Sequence, residues 1–162
     1  MNKKGRTGIF LTFIIFPFLI LFADIFFNLP RLVLGADLFI IIYCGWLGFV
    51  ILKRTFLKGH INVHRIEGAI IVYLLTALIF ALLYHFIFLL QGQSAFKGLS
   101  NYERSEFMYF SLTTLTTVGY GDITPVNQFA RSLANLEALN GQLYPAILIA
   151  RLVSLEFAST SK

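Results

Sequence analysis

Long apolar runs separated by short polar ones dominate the chain, and the lengths of those runs set the first expectation. Crossing a bilayer as a helix takes about 20 mainly apolar residues. Four segments have that length: Gly8 to Phe27, Leu32 to Leu52 with Asp37 at its edge, Gly68 to Leu90, and Phe129 to Leu155. The fourth is more polar than the others, which predicts that it faces protein or water rather than lipid. Between the third and fourth lies Gln91 to Val126, too interrupted to span. Within it, Ser105 to Thr116 carries no Gly or Pro, and Ser105 before Glu106 predicts a helix start with an acidic first turn. The alternative for this stretch is a surface amphipathic helix.

The string Thr116-Thr117-Val118-Gly119-Tyr120-Gly121-Asp122 comes next. Glycine adopts positive φ without steric penalty, so Gly119 and Gly121 allow a backbone that alternates ordinary and left-handed conformations. Such a backbone aims consecutive carbonyl oxygens into one narrow path, where they can replace the water around a potassium ion. Val118 and Tyr120 would then point outward against a support, and Thr117 would add a hydroxyl at the inner mouth. A Thr/Gly-rich turn on a soluble protein is the competing explanation, and composition opposes it. The chain is 57% hydrophobic and only 13% charged, with a mean hydropathy of +0.78, far from the balance of a water-soluble domain. Its 162 residues are expected to form one membrane unit without a separate soluble domain. The single Cys44 has no partner for an intrachain disulfide and reads as a small core residue.

That string, flanked by an apolar span and a short helix before it and an apolar span after it, resembles the selectivity filter and pore module of the pore-loop potassium channels of prokaryotic type. The resemblance covers about Ile66 to Phe157. It implies an all-α membrane protein with four transmembrane helices, a re-entrant pore helix and a filter loop. Residues 66–162 would be the pore module, with outer helix 68–90, pore helix 105–116, filter 117–122 and inner helix 129–155. Residues 1–65 would be two peripheral helices and a basic cytoplasmic linker. One chain supplies one filter strand, so the resemblance also implies a homotetramer with its pore on the four-fold axis.

Site residues follow from the same resemblance. K+, the permeant ion, would be coordinated at Thr117, Val118, Gly119 and Tyr120, with Gly121 completing the filter. Thr113, Tyr109, Asp122 and Thr116 would support it. Many family members carry aromatic residues with polar edges where this chain has Tyr109 and Phe110; Tyr109 can reach Asp122, whereas Phe110 cannot donate a hydrogen bond to brace Tyr120. Gly141, 20 residues beyond Gly121, falls where the family commonly has a hinge glycine; close packing is the alternative. Pro145 removes a backbone hydrogen bond one turn later. Gln142 would lie near the cavity below the filter. Glu137 is expected to hydrogen-bond the pore-helix end near Thr113 or Thr114, or else to face the cavity as a carboxylate. Arg151 would snorkel to the inner surface.

With the expected spans, nine of the 13 Lys and Arg residues fall on the same side of the membrane as the N-terminus and four on the other. The positive-inside rule then places both termini in the cytoplasm of a multi-pass protein of the plasma (cell inner) membrane. The net charge of +5 reflects basic loops meeting anionic membrane lipids rather than nucleic acid. No small-x-small cleavage pattern follows the first run, so it is expected to be retained as a helix, bent at Pro17. The first two spans lack Arg or Lys at three-residue spacing and so do not resemble a voltage sensor. His60 and His64 have helical spacing on the linker and read as polar surface, with a metal site or pH sensor as the alternative. Asp24, Asp37 and His85 read as interfacial or packing residues.

The expected function is a potassium-selective channel conducting passively. A weakly selective cation channel keeps the same fold. A subunit of a potassium uptake transporter is the other alternative, although such proteins usually keep a single filter glycine and contain several repeats. With no Ser/His/Asp set, metal cluster or phosphate loop, no enzyme, organic cofactor or small-molecule substrate other than K+ is expected.

Overall fold

The computed structural model describes residues 30–55 and 63–160. Four helices carry the fold: α1 (Pro30–Thr55), α2 (Val63–Gln91), the short α3 (Arg104–Leu115) and α4 (Gln128–Thr160). The apolar run at 8–27, with Pro17 and Asp24, lies outside the described residues, as does His60. Among the described residues, two segments, Val33–Lys53 in α1 and Arg65–Ala95 across α2, are long and apolar enough to cross a membrane. Both are apolar around their circumference, which leaves Ile42, Phe49 and Leu74 exposed on the chain and suits them to hydrocarbon rather than water. The 33 residues of α4 reach roughly 50 Å. Its polar residues set it apart from α1 and α2.

Helix α1 packs along α2, α2 also contacts α3 and α4, and α3 sits against α4. An aromatic cluster holds this arrangement. Phe80 and Tyr84 of α2 meet Phe96, Phe107 and Phe110, with Ile123 and Ala130 closing the far side. Tyr84 and Phe110 meet edge to face at 4.9 Å, as do Phe96 and Phe107 at 5.6 Å, the geometry that aligns a ring's positive edge with its neighbour's negative face. Phe110 is thus committed to the core.

The ends of the segment between α2 and α4 are tied together. Phe96–Lys97 pairs antiparallel with Thr124–Pro125, with Phe96 opposite Pro125. The amides of Val126 and Asn127 both donate to the Ala95 carbonyl. Helix α3 and the loop after it are therefore held at both ends.

Helix α3 starts at Arg104, with Glu103 rather than Ser105 in the position before it. Ser105 is inside the first turn, and its hydroxyl donates to Glu103 at 3.2 Å. Glu106 does lie in that turn, and it organises the loop upstream. Its carboxylate accepts from the Ser100 hydroxyl at 2.6 Å and from the Ser100 and Asn101 amides. Those bonds, led by the Ser100 hydroxyl, hold its pKa below the ordinary carboxylate value.

Phe107 is 1% exposed and packs against His85, Phe88 and Phe96. Phe107→Ala should cost about 3–5 kcal/mol through the cavity it leaves. Denaturant unfolding of the detergent-solubilised protein measures that loss, and an unchanged midpoint would contradict this account of the core.

Candidate functional site

The loop leaving α3 is wound back onto the helix. The amides of Thr116, Thr117, Val118 and Gly119 donate to the carbonyls of Leu112, Thr114, Thr113 and Thr113 in that order, at 2.9 to 3.1 Å. Carbonyls that a helix C-terminus ordinarily leaves orphaned are satisfied in this way. From within this turn onward, Thr117, Gly119 and Gly121 have φ of 60°, 55° and 81°, with Val118 and Tyr120 between them. The left-handed positions thus recur at every second residue. Thr117 is the member that glycine spacing did not reveal, since a β-branched residue at positive φ carries a strain of roughly 1–3 kcal/mol. A Cβ on Gly119 or Gly121 would meet nothing within 4 Å. Their backbone conformation, rather than lack of space, is what calls for glycine.

Residues 116–122 are exposed along their whole length. Tyr120 is 71% exposed and lies parallel to Tyr109, with ring centroids 6.2 Å apart. The Tyr109 hydroxyl donates to Asp122 Oδ2 at 2.7 Å, and the Ile123 amide donates to Oδ1 at 2.9 Å. The Tyr109 bond is the main cause that holds the Asp122 pKa below its ordinary value. Gly98 lies against the loop exit, where a Cβ would sit 1.8 Å from the Asp122 carbonyl oxygen. Thr113 and Thr116 turn their hydroxyls back onto α3, bonding the carbonyls of Phe110 and Leu112.

Helix α4 passes beneath the end of α3. A Cβ on Gly141 would lie 1.8 Å from the Leu115 carbonyl oxygen, so only glycine permits the two backbones to come this close. That same carbonyl accepts from the Tyr73 hydroxyl of α2 at 3.2 Å. Gly141 against Leu115 also sets a register. One turn earlier in both helices, Glu137 stands opposite Ser111.

Glu137 is fully buried. It accepts from the Tyr84 hydroxyl at 2.6 Å and from the Ser111 hydroxyl, which is also 2.7 Å from the Ala77 carbonyl. Its partner on α3 is therefore Ser111 rather than Thr113 or Thr114, because the helix register pairs it one turn earlier. Three helices converge on this carboxyl, which does not face open space within the chain. Gln142 is exposed, and Pro145 lies inside α4 without ending it. Tyr144 fastens the same stretch to α2 through the Ala69 carbonyl at 2.8 Å.

A family profile described as an ion channel matches residues 69–157, more than half of the chain. The chain belongs to the ion channel family. Two curated proteins are similar to it, both called protein LctB. The one from Bacillus caldotenax is 40% identical over 89 residues, which cover 50% of this chain and 64% of that protein. The one from Geobacillus stearothermophilus is 48% identical over 46 residues, covering 28% of this chain and 34% of that protein. The chain thus spans less than two thirds of the length of either relative. No solved structure matches it.

Membership of that family makes the chain a channel-type protein rather than an enzyme. The matched region takes in α3, the 116–122 loop, Glu137 and Gly141. Sequence reasoning had not singled out Ser111, Tyr84 or Tyr73. Their signal was a hydroxyl next to apolar residues in the chain, which needs a partner wherever it is buried.

Two outcomes follow from these contacts. Glu137→Ala leaves the buried Tyr84 hydroxyl without its acceptor and Ser111 with only the Ala77 carbonyl, and should destabilise the protein by about 2–3 kcal/mol, with Glu137→Gln recovering part of that in thermal unfolding. For Asp122, the depressed pKa means that stabilisation is present above the ordinary aspartate value and lost as pH falls through the lowered one. Tyr109→Phe should move the Asp122 pKa upward toward its ordinary value, which carboxyl-resolved NMR titration would detect.

Proposed function

We propose that this channel is selective for potassium and conducts it passively through a filter formed by residues 117–121. The observation that carries this reading is the alternation of left-handed backbone at Thr117, Gly119 and Gly121, on a loop exposed along its length and anchored to the end of a short helix that buries Phe107, Phe110, Ser111 and Leu115. Carbonyls of Thr117, Val118, Gly119 and Tyr120 replace the hydration shell of K+. The carboxyl end of α3 directs its partial negative charge toward the ion path. Tyr109 and Asp122 brace the outer mouth, and Thr113 and Thr116 complete the turn that leads into the filter.

Four chains close the pore. The support is the surface that one chain leaves uncovered: the loop itself, together with Leu136, Leu139, Leu143 and Ile147 along α4. In this arrangement the pore module is 66–162, the peripheral helices lie in 1–65, and both termini are cytoplasmic in the inner membrane. Gly141 serves the close approach to Leu115 rather than acting only as a hinge. Pro145 leaves the Gly141 carbonyl without its helical donor and weakens α4 where bending would alter the inner mouth. Gln142 faces the water-filled cavity.

Purified protein in liposomes tests the reading directly. Potassium flux should exceed sodium flux by at least about tenfold, equivalent to roughly 1.4 kcal/mol of discrimination. Gly119→Ala, which forces a Cβ onto a left-handed position, should abolish selective flux. Equal sodium and potassium flux, or normal selectivity in Gly119→Ala, would defeat the assignment.

A further inference from the structure

Asp37 is 0% exposed, although it sits in the long apolar helix α1, outside the region that the ion channel profile matches. A carboxylate taken out of water is tolerated when charged or hydrogen-bonding partners replace the solvent. Asp37 has two, from two different elements. Its Oδ2 lies 2.6 Å from His85 Nδ1 on α2, and its Oδ1 accepts from Arg104 Nη2 at 3.1 Å. Each oxygen has its own partner, which fixes the rotation of the carboxyl group.

Arg104 is the first residue of α3. A cation there opposes the helix dipole, whose N-terminal end is positive, so this position calls for a compensating anion. Asp37 supplies that charge from outside the helix. His85 reinforces the grip, since its ring meets Phe107 edge to face at 5.4 Å, one turn further along α3. The start of α3 is therefore clamped from α1 and α2 together. Its 12 residues form a rod of roughly 18 Å, and the far end of that rod carries Leu115 and the strained Thr117.

We propose that Asp37 is a positioning residue for ion conduction: by holding Arg104, helix α1 fixes the orientation of α3 and so maintains the conducting form of the loop that follows. This rests on the reading of residues 117–121 as the filter. Helix α1 is then more than a lipid-facing flank of the pore module. It sets how readily the filter holds its ions.

The test compares the full-length protein with Asp37→Asn, Arg104→Gln, the double variant and Arg104→Lys in liposomes. Flux is measured as a function of potassium concentration, and amide hydrogen exchange along α3 is measured in parallel. Each single variant should raise the potassium concentration needed for half-maximal flux by about threefold or more and speed exchange in α3. The double variant should be no worse than either single, as expected for two members of one interaction. Arg104→Lys, which keeps a cation, should recover part of the shift. A role limited to stability would lower the yield of folded channel without moving that midpoint. If Asp37→Asn fails to fold, Arg104→Gln carries the test, because the Arg104 side chain is one-third exposed. Wild-type flux with an unchanged midpoint and unchanged α3 exchange in the variants overturns the inference alone. Wild-type protein with no selective potassium flux removes the filter assignment beneath it.

Discussion

The contact between the Leu115 carbonyl and Gly141 is the constraint on which the surroundings of the loop depend. It is backbone against backbone, and any side chain at 141 would occupy the carbonyl's own space. Once α4 touches α3 there, the rest of the register is determined. Ser111 comes level with Glu137, and the Tyr73 hydroxyl closes over the same Leu115 carbonyl. The left-handed turn at Thr117 begins two residues beyond this fastened point. A strained residue persists only where its neighbours over-determine it. Here the hydrogen-bonded turn above and the α4 backbone below provide that restraint.

An apolar protein of this kind gives each buried polar group few alternatives. Water is absent from a hydrocarbon interior, so a hydroxyl or carboxyl must find its partner within the protein. Among the described residues, no buried side-chain nitrogen or oxygen lacks a hydrogen-bond partner. The polar groups accordingly sit at junctions between helices. Glu137 joins α2, α3 and α4, while Asp37 joins α1, α2 and α3. Apolar contact between these helices tolerates some sliding. A carboxyl with a defined partner on each oxygen tolerates much less, and these two lie near opposite ends of the short helix that bears the loop.

Several features near the loop were legible one residue at a time. The apolar runs of α1 and α2 stand out in any hydropathy pattern, and the spacing of Gly119 and Gly121 announced a backbone that alternates in hand. Other features were hidden because they depend on direction. Ser105 looked like a cap, yet Glu103 takes that position, with the Glu106 carboxylate turned to the upstream loop. Phe110 is turned into the aromatic core with Tyr84 and Phe96, away from any role set by its distance to Tyr120 along the chain. Asp37 and His85 had looked like separate interfacial or packing residues, 48 positions apart, and nothing local connects them.

Read alone, the amino-acid sequence was enough to specify the membrane-length helices α1 and α2, the short helix after them and the conformational freedom of the glycine string. Hydropathy and allowed φ belong to individual residues and their immediate neighbours, so they are written along the chain. Partner choice is different in kind. Glu137 finding Ser111, Asp37 finding both His85 and Arg104, and Gly141 serving a backbone contact all depend on how rigid helices are rotated and staggered against one another. A shift of a single residue in that packing would have sent the same side chains to other partners. The folded arrangement alone settled these pairings, because a hydrogen bond forms at about 3 Å and no spacing along the chain can supply that distance.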